Sequence, residues 1–347
     1  MSERAGIIGA GNWIVDHIKV VDVYPAEQSL ANIRRESISN GGAPFNVLKD
    51  LSRLGARFPL KGFGLVGDDN DSGWIREECR NNRIDTGGLK SAPGIHTSYT
   101  DVMSVENTGR RTFFHQRGAN ALFGVEPIDV HQSTAKLFHL GYLLLLDELD
   151  KMDSHGVTGA ARLLKAAQET GLITSVDTVS EESNRFNDII VPSLPYVDLL
   201  FMNEFEASRC TGLDLCNDIP DREILRDAAK QLLRHGVNQW VLIHFPKGVF
   251  ALSKQGEEIL QGAVQVPGSR IMSTVGAGDA FAAGTLWGIH EGWDMHQSVR
   301  LGVCTAAACL QDISCSDGIR DYEACLALGD TYSFHELHHE HVEKGVE

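Results

Sequence analysis

Basic residues are scarce in this chain relative to acidic ones. Among 347 residues, 31 lysines and arginines stand against 47 aspartates and glutamates, a formal net charge of −16. Such a surface repels phosphate backbones and anionic membranes, so neither nucleic acid nor membrane is expected as a partner. No apolar run is long enough to cross a bilayer. The longest, around Leu140 to Leu146, is far short of the roughly 20 residues that a spanning helix takes. The opening MSERAGIIGAGNWIVD has no cationic stretch followed by a sustained apolar one, and the chain reads as soluble and cytoplasmic. Cys-x-x-Cys is missing as well. The seven cysteines are scattered between Cys79 and Cys325, which argues against a disulfide framework or a zinc site and fits a reducing compartment. The tail clusters His335, His338, His339 and His341 without an orienting scaffold, and no metal site is expected there.

Two nucleotide-binding signatures are also absent or incomplete. No G-x-x-x-x-G-K-[ST] loop occurs, so a P-loop site is unsupported. Gly9-Ala10-Gly11 follows a strand-like run as in dinucleotide-binding proteins, but Ile14 stands where the third glycine belongs. No internal repeat or low-complexity linker divides the chain, which reads as one domain over residues 1–347.

What is present is a steady alternation. A hydrophobic content of 42% suffices for a large core. Short apolar, β-prone runs (AGIIGAG, FPLKGFG, KLFHLGY, LITSVD, VDLLFM and QWVLIHF) are separated by segments of helical period. In PFNVLKDLSRLG the residues Phe45, Val47, Leu48, Leu51 and Leu54 share roughly one helical face. In DREILRDAAKQLLRHG the same holds for Ile224, Leu225, Ala228, Leu232 and Leu233. This pattern predicts an α/β fold, a doubly wound and mostly parallel sheet flanked by helices. Segments 17–40 and 96–117 break the rhythm; both are β-like, and the second reads as a hairpin. They form either a small β lid or ordinary edge strands.

The stretch STVGAGDAFAAG, residues 273–284, carries the clearest chemistry. If Gly276, Ala277 and Gly278 wrap the chain into a helix, unpaired amides converge with the positive end of its dipole to make an anion hole. Asp279 beside that hole either caps the helix or takes a proton from a hydroxyl that attacks a phosphoryl group.

The surrounding motifs favour the second role. TVGAGDAFAAGTLWG resembles the TxGAGDxFxxG signature of the ribokinase-like, or PfkB, carbohydrate kinase family. GAGNWIVD, GGAPFNVLKDLSRLGA, KGFGLVGDDNDSG, RIDTGGL, TSYTDVM, RGAN and MNEFEA follow in that family's order, over roughly residues 5 to 320. The resemblance implies a ribokinase-like fold and an ATP-dependent kinase acting on a hydroxymethyl group of a fructose-like or ribose-like sugar. 2-Keto-3-deoxy sugar acids and nucleosides stand behind these. It makes Asp279 the catalytic base, with the backbone of Gly276, Ala277 and Gly278 as the hole. Asp16, Asn12 and Asn46 become sugar ligands, Gly41 and Gly42 allow close approach, and Arg117 reaches substrate or phosphate. Asn203 and Glu206 organise water around Mg²⁺, Glu206 being the metal's partner through water, while Thr274 and Gly248 belong to the nucleotide side. Relatives that pair their lids imply a homodimer.

Two positions depart from the family pattern. Ser273 stands where many members have an acid that helps hold a monovalent cation, so little potassium dependence is expected. The turn after QWVLI reads His244-Phe245-Pro246-Lys247-Gly248 in place of a Thr-x-Gly turn, and Pro246 removes a backbone donor. An altered nucleotide loop would also suit a non-catalytic sugar or nucleotide sensor of the same fold.

Overall fold

The computed structural model describes residues 4–125, 130 and 133–337, so His338, His339 and His341 lie outside the described residues. Its strands in chain order are β1 (Ile7–Gly11), β2 (Ile14–Val21), β3 (Ile33–Gly41), β4 (Leu60–Val66), β5 (Ile84–Ser91), β6 (Ser98–Val105) and β7 (Arg111–Gln116). After these come β8 (Leu137–Leu143), β9 (Ile173–Thr178), β10 (Leu199–Asn203), β11 (Trp240–Phe245), β12 (Gly248–Ser253) and β13 (Glu258–Gly262). Nine of them form one sheet in the order β13-β12-β11-β10-β9-β8-β1-β4-β5. From β11 through β5 every neighbouring pair is parallel, whereas β12 and β13 are antiparallel additions at one edge.

The sheet is covered on both faces, and β10 shows how its sequence achieves this. Leu200 and Met202 enter one apolar cluster, with Leu164, Ala207, Leu225 and Leu232 from helices Gly159–Glu169, Glu204–Thr211 and Arg222–Arg234. Leu199 and Phe201 enter the other, with Phe45, Leu51, Phe281 and Leu301 from helices Ala43–Arg53, Ala277–His290 and Met295–Cys309. Successive side chains of a strand point to opposite faces, so a strand buried on both sides must be apolar throughout. Each of the six expected strands forms. Phe45, Val47, Leu48, Leu51 and Leu54 are all fully buried. In helix Arg222–Arg234, Leu225, Ala228 and Leu232 are buried, but Ile224 is exposed. It sits in the first turn, at the margin of the helix's apolar stripe.

β2, β3, β6 and β7 make a second sheet in the order β3-β2-β6-β7. β2 follows β1 after only Asn12 and Trp13. It pairs antiparallel with β3 and parallel with β6, bringing Asp16 level with Ser39 and Thr100. In the large sheet, β1 has β4 on one side and β8 on the other. Strand order reverses there, and in doubly wound sheets the crevice outside the carboxyl ends at such a point is where ligands bind.

Candidate active site

Helix Ala277–His290 begins at Gly276, whose φ is 82° and where an added Cβ would lie 2.9 Å from Cys315 Cβ. Only glycine takes that conformation there without strain. No side chain caps this end of the helix. Ala277 N turns toward Thr274 O at 3.4 Å, while the amides of Gly278 and Asp279 have no carbonyl a full turn earlier to accept them. With the helix dipole they make a concavity suited to an anion.

Asp279 lies in that first turn and is buried. Its Oδ2 accepts from Asn46 Nδ2 and from the Tyr142 hydroxyl, each at 2.7 Å. Its Oδ1 is buried and meets no amide or hydroxyl donor among the described residues. Asp177, at the end of β9, lies against the same carboxylate. Burial, then the charges of Asp279 and Glu206, push the Asp177 carboxyl well above the usual range. Asp279 is raised by burial too, but the hydrogen bonds from Asn46 and Tyr142, and then Asp177 beside it, work against that rise. The donors on Asp279 therefore favour its ionised form over that of Asp177. Burial and the neighbouring carboxylates hold the Tyr142 hydroxyl well above its ordinary range, so it remains a donor.

Around this point opens a cleft of about 810 Å³, lined by the Thr274–Asp279 turn, Asp177, Glu206, His244, Gly248 and, from the smaller sheet, Phe113. Asp177 and His244 stand near the carboxyl ends of β9 and β11, and Glu206 is in the helix that follows β10. Asn203 and Glu206 form a capping box: Asn203 Oδ1 accepts from Glu206 N at 2.8 Å, and Glu206 Oε2 accepts from Asn203 N at 3.1 Å. Glu206 also accepts from Thr178 Oγ1 at 2.8 Å and from Ser180 Oγ at 2.9 Å. His244 is half-buried, its ring 5.7 Å from that of Phe281, and its Nε2 would lie 3.4 Å from a Cβ at Gly278. Desolvation lowers its pKa to about 4, so a neutral imidazole abuts the anion hole. The turn from Phe245 to Gly248 is a tight hairpin in which these two residues pair directly.

On the other side of Asp279 stands Asp16, on β2. Burial raises its pKa to about 7, against the hydrogen bond from Thr100 and the charge of Arg111. Gly41 leaves it room, since a Cβ there would meet Asp16 Oδ1 at 2.7 Å. Gly42, with φ of 85°, starts the helix that carries Asn46. The structure thus brings Asp16, Asn46, Gly41 and Gly42 together with Asp279.

Two residues expected to touch substrate are engaged elsewhere. Asn12 is fully buried; its Oδ1 accepts from Tyr142 N and its Nδ2 donates to Leu145 O at 3.2 Å. It holds the end of β8 in place. Arg117 donates to Asp147 Oδ1 at 2.7 Å and lies 3.7 Å from Glu181. The arginine of the smaller sheet that faces Asp16 is Arg111, on β7, which also donates to Ile313 O at 3.4 Å. Ser273 is buried, and its hydroxyl accepts from Val275 N at 3.1 Å, inside the turn. Tyr142 and Asp177 escaped the sequence reading. They lie at the ends of KLFHLGY and LITSVD, and a polar residue closing an apolar parallel strand was the available signal.

The chain matches the family model described as pfkB family carbohydrate kinase over residues 10–321. It is 26% identical over 317 residues to a 5-dehydro-2-deoxygluconokinase of Clostridium perfringens, covering 88% of each chain. To fructokinase-1 of Zea mays it is 26% identical over 295 residues, covering 82% of each. Among solved structures, the ribokinase of Arabidopsis thaliana complexed with ribose and ATP matches with a TM-score of 0.76. That match covers 94% of this chain and 98% of the other at 21% identity.

Proposed function

The chain belongs to the pfkB family of carbohydrate kinases and is a sugar kinase, and we propose that it transfers the γ-phosphoryl group of ATP to a hydroxymethyl group of a fructose-like or ribose-like sugar. The observation that supports this best is Asp279: a buried carboxylate with one oxygen held by two donors and the other without one, at the uncapped start of a helix. Asp279 Oδ1 takes the proton of the substrate hydroxyl as that oxygen bonds to phosphorus and the bond from phosphorus to the ADP oxygen breaks. Of the backbone expected there, Gly276 makes the bend and Ala277 N is turned to Thr274 O, so the amides of Gly278 and Asp279, with the helix dipole, stabilise charge on the group in transfer. Asp16 accepts from sugar hydroxyls, and the 810 Å³ cleft beyond the hole takes the nucleotide, with Gly248 and Thr274 on its wall.

Magnesium fits this cleft in one way. Among the described residues no group of three acids, histidines or cysteines could hold a metal alone. Glu206, with Asn203 beside it, stands on the cleft wall, and magnesium commonly binds through water and substrate phosphates with one or two protein carboxylates. Glu206 and Asn203 would hold the ion through water, where it would neutralise phosphate charge.

Arg111 favours a second substrate class. A cation facing Asp16 would meet the carboxylate of a keto-deoxy sugar acid bound in the same place. ADP release measured with fructose, ribose, 5-dehydro-2-deoxygluconate and cytidine separates the classes. Turnover of none of them with MgATP would leave the sensor reading standing instead.

The small sheet acts as the lid of this one domain. Its edge strand β3 exposes Ile33 and Ile38, an arrangement that pairing with a second copy would cover, so the protein is a homodimer in this reading. A monomer mass by sedimentation at micromolar concentration would contradict it. The cysteines are all free, which suits a cytoplasmic setting.

A further inference from the structure

Lys49 is an unusual residue to find inside a protein. It sits on helix Ala43–Arg53 one turn after Asn46, and its side chain is 5% exposed. A buried ammonium costs several kcal/mol unless it is paired. Its outer partners are Glu78 at 3.0 Å and Asp317 at 3.4 Å. Its inner partner is an amide: Lys49 Nζ donates to Asn40 Oδ1 at 3.0 Å. From there a line of hydrogen bonds runs into the active site. Asn40 Nδ2 donates to Asn46 Oδ1 at 2.6 Å, and Asn46 Nδ2 donates to Asp279 Oδ2 at 2.7 Å.

The direction of this line follows from its end. An amide side chain can turn over, exchanging donor for acceptor, but an ammonium only donates. Asn40 must therefore present its oxygen to Lys49 and its nitrogen to Asn46 and to Ser316 Oγ, which lies 2.8 Å away. Asn46, offered an N–H on one side, must present its own N–H on the other. A turned Asn46 would set a carbonyl oxygen against a carboxylate. Aligned amides also polarise one another, with the positive end of each dipole toward Asp279.

We propose that Lys49 is a positioning residue for the reaction: through Asn40 it fixes Asn46 in the orientation that donates to Asp279 Oδ2, which leaves Oδ1 for the substrate. This rests on the reading of Asp279 as the base. Sequence spacing does not reveal the connection, because Asn40, Lys49 and Asp279 meet only through the fold.

Several other groups face Asp279 or the relay. Tyr142 comes from β8, Asp177 from β9, Asp16 from β2, Asp50 from Lys49's own helix, and Cys309 and Cys315 from the end of helix Met295–Cys309 and the loop after it. The hydrogen bond from Asn46, at the end of the amide line, opposes the rise that burial imposes on Asp279. Cutting the line should push the Asp279 titration upward.

The test is a carboxyl ¹³C NMR titration of the full chain labelled at aspartate, without sugar or nucleotide, the Asp279 signal being assigned by its loss in Asp279→Asn. Lys49→Met should raise the Asp279 midpoint by roughly half a pH unit. Asn40→Leu, which keeps the Lys49–Glu78 contact, should raise it equally, and the double variant should add nothing further. Lys49→Arg, also a donor-only cation, should return it toward the wild-type value. An unmoved midpoint in both Lys49→Met and Asn40→Leu, with only the melting temperature lowered, would overturn the proposal and leave Lys49 a structural cross-link. The titration needs no turnover. Undiminished turnover of Asp279→Asn would instead show that the base assignment had failed, independently of the relay.

Discussion

Asn46 Nδ2 donates to Asp279 Oδ2 at 2.7 Å across 233 residues of sequence. The bond joins the first turn of helix Ala43–Arg53 to the first turn of helix Ala277–His290, and both helices start on glycines at positive φ. The two glycine-started helix ends that border the cleft are therefore tied to each other directly.

With Asp16 as the proposed sugar ligand, sugar binding should depend on pH. Burial raises its pKa to about 7, and a hydroxyl donates to a carboxylate but gains less from a carboxylic acid. Sugar affinity measured by calorimetry, in the Asp279→Asn background so that this second acid does not titrate, should fall about tenfold from pH 8 to pH 6. The stability effect has the opposite sense. A carboxyl whose folded-state pKa is raised contributes stability that is fully present below its unfolded value and is lost as pH rises through about 7. Asp16→Asn should therefore melt higher than wild type at pH 8, by a margin that narrows steadily as pH falls from about 7 and closes only below the ordinary aspartate value of 3.8. Affinity independent of pH would remove Asp16 from the sugar site.

Tyr142 gives a milder effect. Its hydroxyl is one of two donors to Asp279 Oδ2, and Tyr142→Phe removes that bond while keeping the ring. Turnover should drop by roughly 3- to 10-fold, and the acid limb of its pH profile should move upward as Asp279 becomes easier to protonate. An unchanged limb would place the hydroxyl outside the working site.

Ser273 has its hydroxyl tied to Val275 N within the turn, and it offers a neutral oxygen where a carboxylate would bring a full charge. Replacing K⁺ by tetramethylammonium at constant ionic strength should leave turnover within about twofold, a small change in barrier. Strong, saturable activation by K⁺ would show that backbone carbonyls or Asp317 rebuild a cation site.

Much of this architecture was legible before the fold. The strands from AGIIGAG to QWVLIHF are apolar on both faces because both faces are buried, and the glycine bend ahead of Asp279 forms where the motif places it. What escaped depends on register between distant strands. A polar residue closing each strand marks Tyr142 and Asp177 as candidates, but only the fold brings the ends of β8 and β9 beside Asp279. Asn12 sits in a recognisable motif, yet the backbone at Tyr142 and Leu145 takes its amide. Arg117 and Arg111 are six residues apart in one hairpin segment, and only the twist and pairing of β6 with β7 decide which guanidinium faces Asp16.

In the proposed reaction Asp279 is the base for phosphoryl transfer to a sugar hydroxyl. The most direct test of that role is ³¹P NMR of the products made from MgATP and the sugar panel by wild type and by Asp279→Asn, with sugar affinity measured in parallel. Wild type should form ADP and a sugar phosphate ester. Asp279→Asn should be slower by roughly 10²-fold or more, with sugar affinity little changed. Formation of the same ester by Asp279→Asn at a near-normal rate would show that Asp279 is not the base.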